Sequence, residues 1–343
     1  MITFRAHSVF CFVVLTCFSF FLLTCRAQAQ STDDVHVAPL PVPAKDSPPP
    51  TADGSPALSV RLRPVRVDVD LVLVPVTVTD SGNHPVMNLN KQDFTVSEDG
   101  VPQQIQYFGS EDSPISVGLL VDLSGSMKNK VEAVREAVDQ FFSNANPEDD
   151  YFVVTFSSRP QLLADTTRSS ETIQAKLANI EPKGTTALAD AIYTGVMKLH
   201  SAKYQRKALV IISDGGDNSS RYTLHEIRSL VMESDVQIYA IDICDAPSAF
   251  VLAKLSELAE QHWLSQVTDV TGGRTIAVDS ATKIPAAAGR ISSELRNQYV
   301  LGYRPNQSTR NANWRKIRVR VTRPKNSQPV QVYFKTGYVP PKP

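Results

Sequence analysis

Five oxygen-bearing side chains follow predicted strands or precede predicted helices, in a spacing that suits a metal ion. Asp122, Ser124 and Ser126 alternate directly after an apolar strand, Thr185 stands on a loop before a helix, and Asp214 follows another apolar strand. Because open α/β sheets bind ligands outside the carboxyl ends of their strands, we expect these side chains to meet at one rim. Carboxylates and hydroxyls without histidine or cysteine favour Mg²⁺ or Mn²⁺ over zinc.

These five side chains would leave coordination positions of a divalent ion open for a further ligand. Two carboxylates balance a divalent ion and hydroxyl ligands add no charge, so the ion keeps positions for water or for an acidic group of a partner. Serine, threonine and aspartate also commonly end turns and begin helices, and the alternative is that the five residues only serve as such caps. The neighbouring Thr186 is expected to cap the helix that follows it.

The elements that carry these residues alternate between strand and helix from about 113 to 296. Apolar runs predict strands, and apolar residues three and four positions apart predict helices. Strands are expected at 115–121, 151–156, 162–166 (an antiparallel edge), 208–212, 236–243 and 275–278, and helices at about 131–141, 188–199, 224–230, 248–261 and 284–295. This order predicts an α/β fold with a doubly wound, mostly parallel sheet and helices on both faces.

The five residues together resemble the metal-ion-dependent adhesion site of the von Willebrand factor type A domain. All five positions match: Thr185 comes 63 positions after Asp122, and Asp214 follows after a further 29. The resemblance covers about 113–297 and implies that Ser124, Ser126 and Thr185 contact a divalent metal. It further implies that Asp122 and Asp214 act directly or through water, and that a glutamate or aspartate of a protein ligand completes the coordination.

Segments with the two-residue period of β-strands flank this region, at 65–110 and 298–343. Each supplies about three short strands, too few for a stable core. We therefore expect them to form one small β-sandwich, with the von Willebrand type A domain of 111–297 inserted between them. With its segments around 93–100 and 298–303, the whole chain also resembles a group of exported bacterial proteins related to that domain.

The first 29 residues predict a signal peptide. A positively charged start precedes an uncharged, mostly apolar run at 9–24, and Ala27 and Ala29 stand where a signal peptidase reads small residues. Cleavage after Ala29 is expected, while lipidation of Cys25 and retention of the run as an anchor are the alternatives. The mature protein is then exported, to the periplasm, the cell surface or the medium, with no membrane span.

The remaining composition excludes several classes. Residues 30–64 contain eight prolines among mostly polar and small residues, which predicts a disordered linker. After cleavage only Cys244 remains of the four cysteines, so an intrachain disulfide is excluded. Thirty-five basic residues balance thirty-five acidic residues in the whole chain, which gives no reason to expect nucleic acid as a partner.

Three functions remain. The sequence has no Gly-x-Ser-x-Gly elbow, P-loop or His-Glu-x-x-His motif, so an enzyme is not expected. The favoured function is a metal-dependent protein-binding or adhesion module, which binds an acidic group of an unidentified protein through a divalent cation. The alternatives are a structural assembly protein that uses the same site for self-association, and a metal-dependent hydrolase.

Overall fold

A computed structural model describes residues 71–110, 112–244, 263–305, 314–323 and 328–340. The expected signal peptide, the expected linker and the expected helix at 248–261 lie outside these residues. The described residues belong to one compact unit. Of the helices that are described, none is long and apolar enough to cross a membrane.

The chain begins and ends in short strands, with a longer α/β region between them. The first strands are β1 (Val72–Thr79), β2 (Phe94–Glu98), β3 (Val101–Gln103) and β4 (Ile105–Gly109). The α/β region contains β5 (Ile115–Asp122), α1 (Val131–Phe142), β6 (Asp150–Phe156), β7 (Pro160–Thr167), α2 (Ser170–Leu177), α3 (Leu188–His200), β8 (Arg206–Ser213), α4 (Leu224–Glu233), β9 (Val236–Ile243), α5 (described at 263–271), β10 (Thr275–Val278) and α6 (Ile284–Arg296). The last strands are β11 (Tyr299–Tyr303), β12 (Arg315–Val321), β13 (Gln331–Phe334) and β14 (Gly337–Tyr338).

The α/β region is built on a six-stranded sheet in the order β10-β9-β8-β5-β6-β7. Neighbouring strands are parallel except β7, which pairs antiparallel with β6 at the edge. The chain runs outward from β5 through β6 to β7, then returns to β8 on the other side of β5. This reversal places the topological switch point of the sheet between β5 and β8, and it confirms the predicted doubly wound fold.

β5 is the centre of the packing because its side chains are buried on both faces of the sheet. All eight of its residues are buried. Val121 belongs to the core beneath α1, α2 and α6, while the adjacent Leu120 belongs to the core beneath α3, α4 and α5. An uninterrupted apolar strand of this kind is typical of a sheet covered by helices on both sides. The polar residues that follow β5 therefore stand on a rigid base.

The terminal strands form two four-stranded sheets, as the sequence predicts. One has the order β13-β1-β11-β4 and the other β14-β12-β2-β3, so each combines strands from both ends of the chain. The pairings β1–β11 and β12–β2 are antiparallel. Val76, Val96, Tyr299 and Ile317 meet in one core between the sheets. Each terminal segment supplies four strands rather than the expected three.

Besides the two-residue strand β14 and the described part of α5, two elements are absent from the sequence prediction. β3 is a three-residue strand with a proline in its middle, and it lies at the edge of its sheet, where proline is tolerated. α2 buries only Ile173 and Leu177 and so carries too short an apolar stripe to be recognised as a helix. Both elements are peripheral, so they change neither the topology nor the rim of the sheet.

Candidate metal centre

The switch point brings two of the predicted ligands to the carboxyl end of the sheet. Asp122 is the last residue of β5, and Asp214 directly follows Ser213, the last residue of β8. β5 and β8 are hydrogen-bonded neighbours, paired through Val121 and Ile212. The parallel register therefore places both carboxylates at the same rim, as the sequence predicts.

Asp122 is a buried carboxylate held by two donors. Its exposed fraction is 0%. Oδ1 accepts a hydrogen bond from the backbone N–H of Ser124 (2.8 Å), and Oδ2 accepts one from the hydroxyl of Ser213 (2.6 Å). Burial raises the pKa of Asp122, and these hydrogen bonds oppose that rise in part. A nearby cation stabilises the charged form of a buried carboxylate of this kind.

Ser124, Ser126 and Asp214 form a continuous chain of hydrogen bonds. The hydroxyl oxygens of Ser124 and Ser126 are 3.1 Å apart, and Ser126 Oγ donates to Oδ1 of Asp214 at 2.7 Å. The Asp214 side chain is 2% exposed, whereas Ser126 is exposed at the rim. The alternating side chains after β5 thus converge on the residue that follows β8.

Thr185 lies on an adjoining loop, and its hydroxyl has another partner. Two backbone hydrogen bonds fix the loop. The N–H of Lys183 donates to the carbonyl of Leu123 (2.9 Å), and the N–H of Gly125 donates to the carbonyl of Gly184 (3.1 Å). Gly184 has φ of +90°, which favours glycine. Thr185 Oγ1 donates to Ser158 Oγ at 3.0 Å. The structure therefore joins four predicted ligands by hydrogen bonds and places the fifth on a loop bonded to theirs.

Lys130 is a functional candidate that the sequence analysis missed. Its ammonium group donates to Oδ2 of Asp214 in an ion pair, and the two side chains are only 7% and 2% exposed. Lys130 is also the N-cap residue of α1, a position where Ser, Thr, Asp or Asn is preferred and where a cation faces the positive end of the helix dipole. That unfavourable placement is the sequence signal that points to a role for Lys130.

A second layer of hydrogen bonds anchors the loop that carries Asp214. Asn218 Oδ1 accepts from the backbone N–H of Thr186 at 2.8 Å. The buried carboxylate of Asp190 on α3 accepts from the backbone N–H and the Nε of Arg221, both at 2.9 Å. α3 begins at Leu188 with Ala187 as its N-cap residue and without a side-chain cap. The expectation that Thr186 caps this helix is therefore wrong, because its backbone ties the two loops together instead.

The donor set fits a hard divalent cation. Two carboxylates and several hydroxyls lie together, and hard cations prefer oxygen donors of this kind. The described residues contain no group of three or more His, Cys, Asp or Glu side chains that could hold a metal ion, so the hydroxyl oxygens are needed as further ligands. The ammonium group of Lys130 shows that Asp214 already takes a positive partner. Ser124 is the N-cap of a short 3-10 helix but makes no side-chain cap bond, which argues against a purely capping role for its hydroxyl.

The comparison with protein families agrees with this arrangement. Residues 117–216 match the family model described as the von Willebrand factor type A domain. That span contains all five predicted ligands, from β5 to the loop after β8. Over these residues the chain is similar to a von Willebrand factor type A domain. A search of curated proteins found no match.

Solved structures with a similar fold come from several organisms. They include a von Willebrand factor type A protein from Catenulispora acidiphila (13% identity, 66% of this chain, 50% of that chain, TM-score 0.46). Proximal thread matrix protein 1 from the mussel byssus, with a zinc-occupied MIDAS motif, is similar over 58% of this chain and 49% of its own (15% identity, TM-score 0.45). The pilus adhesin SpaC from Lactobacillus rhamnosus GG is similar over 60% of this chain and 35% of its own (14% identity, TM-score 0.44). The chain thus spans half or less of each of these proteins.

Proposed function

We propose that the protein is an exported, metal-dependent protein-binding or adhesion module. In this proposal Asp122, Ser124, Ser126, Thr185 and Asp214 hold one Mg²⁺ or Mn²⁺ ion, and an aspartate or glutamate of a partner protein binds to it. The signal peptide expected at 1–29 directs the chain to the periplasm, the cell surface or the medium. No catalytic role is assigned to the site.

One observation carries the proposal: the hydrogen-bonded chain from Ser124 through Ser126 to Asp214 at the switch point of the sheet. Residues from two separate loops meet there with oxygen atoms directed at one another. Hydrogen bonds among hydroxyl and carboxylate oxygens bring together the kind of donors that Mg²⁺ and Mn²⁺ prefer. The family match over 117–216 covers the same loops.

The side chains divide into a buried base and an exposed rim. Asp122 and Ser124 are buried, whereas Ser126 and Thr185 are exposed. A divalent cation at this place supplies positive charge and free coordination positions that an external carboxylate can take. The buried residues hold the negative charge in place, and the exposed hydroxyls line the face that a partner approaches.

Calorimetric titration with MgCl₂ and MnCl₂ tests the site. We expect the mature protein to bind at least one of the two ions, and Asp122→Asn to weaken that binding at least about tenfold, because it removes a ligand charge while preserving the shape of the side chain. Asp139→Asn, an exposed position on α1, is the matched control and should bind as the wild type does. The metal site is excluded if the wild type binds neither ion, or if both variants bind equally well.

Affinity capture from the source organism tests the function. The protein is used as bait in Mg²⁺ and in a chelator, with the Asp122→Asn variant in parallel. Capture of another protein only with Mg²⁺, and only by the wild type, supports the binding module. Chelator-sensitive self-association in analytical ultracentrifugation, without another captured protein, supports the assembly alternative instead. Metal-dependent turnover of an ester or phosphoester substrate would support a hydrolase.

A further inference from the structure

β12 carries a row of three exposed cations away from the metal site. Its residues alternate between the sandwich core and solvent, so that Ile317 and Val319 are buried while Lys316, Arg318 and Arg320 are exposed. Residues two apart on an antiparallel strand are separated by about 6.8 Å. The three charges therefore form a line on the outer face of the sheet β14-β12-β2-β3.

The charges of this row are not neutralised by carboxylates. In the described part of the chain, none of the three side chains forms an ion pair. Arg318 lies opposite Ser97 and Arg320 opposite Thr95, so hydroxyl side chains occupy the neighbouring positions on β2. The carboxylate of Asp99 lies at one end of the row, where it accepts the backbone N–H of Lys316. The row thus presents three cations beside two hydroxyls.

These side chains line a groove with a volume of about 440 Å³. Val96 on β2, Pro102 on β3 and Gly100 complete its lining. We call this groove, defined by Thr95, Ser97, Lys316, Arg318 and Arg320, the β12 groove. It is long enough for several units of a linear chain, because its cations alone span about 14 Å.

The position of the β12 groove in the sheet limits what can bind there. β2 is paired with β12 on one side and with β3 on the other, so it offers no free edge to add a peptide strand. β12 is paired with β2 along one edge and with β14 at Arg315 and Lys316 on the other. The residues that line the groove include no aromatic side chain on which a nucleic-acid base could stack. The polar groups that the described lining offers a ligand are guanidinium, ammonium and hydroxyl groups, beside the apolar surface of Val96 and Pro102.

We propose that the β12 groove binds an acidic carbohydrate chain through its carboxylates. The planar guanidinium groups of Arg318 and Arg320 match carboxylates with two parallel hydrogen bonds each. Thr95 and Ser97 can both donate to and accept from sugar hydroxyls between the charged groups. This binding is independent of the divalent cation and of the function proposed for the rim of the α/β sheet.

The experiment measures binding of tetragalacturonate to the mature protein in a chelator, so that the metal site cannot contribute. We expect measurable binding that weakens as salt is added. The triple variant Lys316→Thr, Arg318→Thr, Arg320→Thr should bind at least tenfold more weakly. The control triple variant Lys91→Ser, Arg168→Ser, Arg228→Ser removes the same charge from exposed positions outside the groove and should bind as the wild type does.

Several results would overturn the proposal. These are absence of binding by the wild type, equal losses in the two triple variants, or unchanged binding by the groove variant when circular dichroism shows it folded. Tighter binding of tetraglutamate or of a thymidine tetranucleotide than of tetragalacturonate would replace the carbohydrate with a peptide or a nucleic acid. Binding of tetragalacturonate by the wild type, without binding of a neutral galactose tetramer, supports the role of the carboxylates.

Discussion

The ammonium group of Lys130 occupies the same carboxylate, that of Asp214, that the proposed metal ion requires. Both side chains are buried, so water screens their attraction poorly. A divalent ion bound by Asp214 must compete with this internal cation or push it aside. We therefore expect Lys130 to offset the charge of Asp214 in the metal-free site and to lower the affinity of the site for the ion.

Replacing Lys130 tests this competition. Lys130→Gln should bind Mg²⁺ or Mn²⁺ at least about tenfold more tightly than the wild type in calorimetry, because the buried carboxylate then has no other cation. In a chelator the same variant should lose about 3 kcal/mol of stability, since Asp214 is left buried and unpaired. Saturating Mg²⁺ should restore much of that loss by binding only the folded state.

Lys128→Gln is the matched control for this prediction. Lys128 lies two residues earlier, is 69% exposed and faces Glu181 at 3.9 Å, so its removal should change neither ion affinity nor stability measurably. Equal or weaker ion binding by Lys130→Gln would show that the lysine does not compete with the ion.

The bond from Thr185 to Ser158 predicts a graded effect of two substitutions. A hydroxyl that binds a metal through its oxygen still needs an acceptor for its proton, and Ser158 Oγ is that acceptor at 3.0 Å. Thr185→Ala should weaken ion binding about tenfold, and Ser158→Ala should weaken it less, since only the orientation of Thr185 is lost. Tighter binding by Ser158→Ala in calorimetry would instead mean that this bond holds Thr185 away from the ion.

The fold could be predicted where burial leaves a clear pattern in the sequence. β5 is an unbroken apolar run because both of its faces are covered, and β12 alternates because only one of its faces is. β3 and α2 could not be predicted, because short peripheral elements bury too few side chains to give a recognisable hydrophobic period in the sequence. Pairing between the two terminal segments could be predicted because neither segment has enough strands to form a stable core alone.

The candidate site was predictable in its ligands but not in their surroundings. Asp122 and Asp214 could be placed together because parallel strands end at one rim. Lys130 pairs with Asp214, and Ser158 accepts a hydrogen bond from Thr185. These contacts depend on the conformation of the loops, which the spacing of residues in the sequence does not predict. The sequence contains one indication of the role of Lys130: a lysine at the start of a helix is unfavourable unless a nearby carboxylate pairs with it.

Asp190 predicts a pH-dependent stability. Burial raises its pKa, but hydrogen bonds from the side chain and backbone of Arg221 and from the backbone of Tyr222 outweigh it, so the pKa lies below its ordinary value of 3.8. A carboxyl with a lowered pKa stabilises the folded state above the unfolded pKa, and this stabilisation is lost as the pH falls through the lower folded value. The contribution is therefore complete above about pH 5 and declines below about pH 4.

Asp190→Asn removes this contribution. At pH 7 it should lower the free energy of unfolding by about 2 kcal/mol, because hydrogen bonds to a charged acceptor are lost in a buried place. The difference from the wild type in urea titrations should shrink as the pH is lowered from 5 towards 3. Asp139→Asn serves as the exposed control. A difference that stays constant over this range would show that the charge of Asp190 is not what stabilises the loop.

Gln298 joins the β-sandwich to the α/β sheet. It lies directly before β11, is 2% exposed, and its Nε2 is 3.0 Å from Gln237 Oε1 and 3.2 Å from both Thr77 Oγ1 and Tyr239 OH. Thr77 belongs to β1, while Gln237 and Tyr239 belong to β9. One buried amide thus connects strands from two different sheets.

Gln298→Ala should lower the free energy of unfolding by about 2–3 kcal/mol, because it removes the hydrogen bonds that link buried polar groups of the two sheets. Gln106→Ala, on the exposed face of β4, should change it by less than about 0.5 kcal/mol.

The two tryptophans report on the two parts separately, since Trp263 packs in the α/β core and Trp314 lies against Gly337 in the sandwich. In urea, the single-tryptophan forms made by Trp263→Phe and Trp314→Phe should unfold at a common midpoint, and Gln298→Ala should shift both midpoints downward together. A shift confined to one tryptophan would show that the two parts unfold independently and that Gln298 does not couple them.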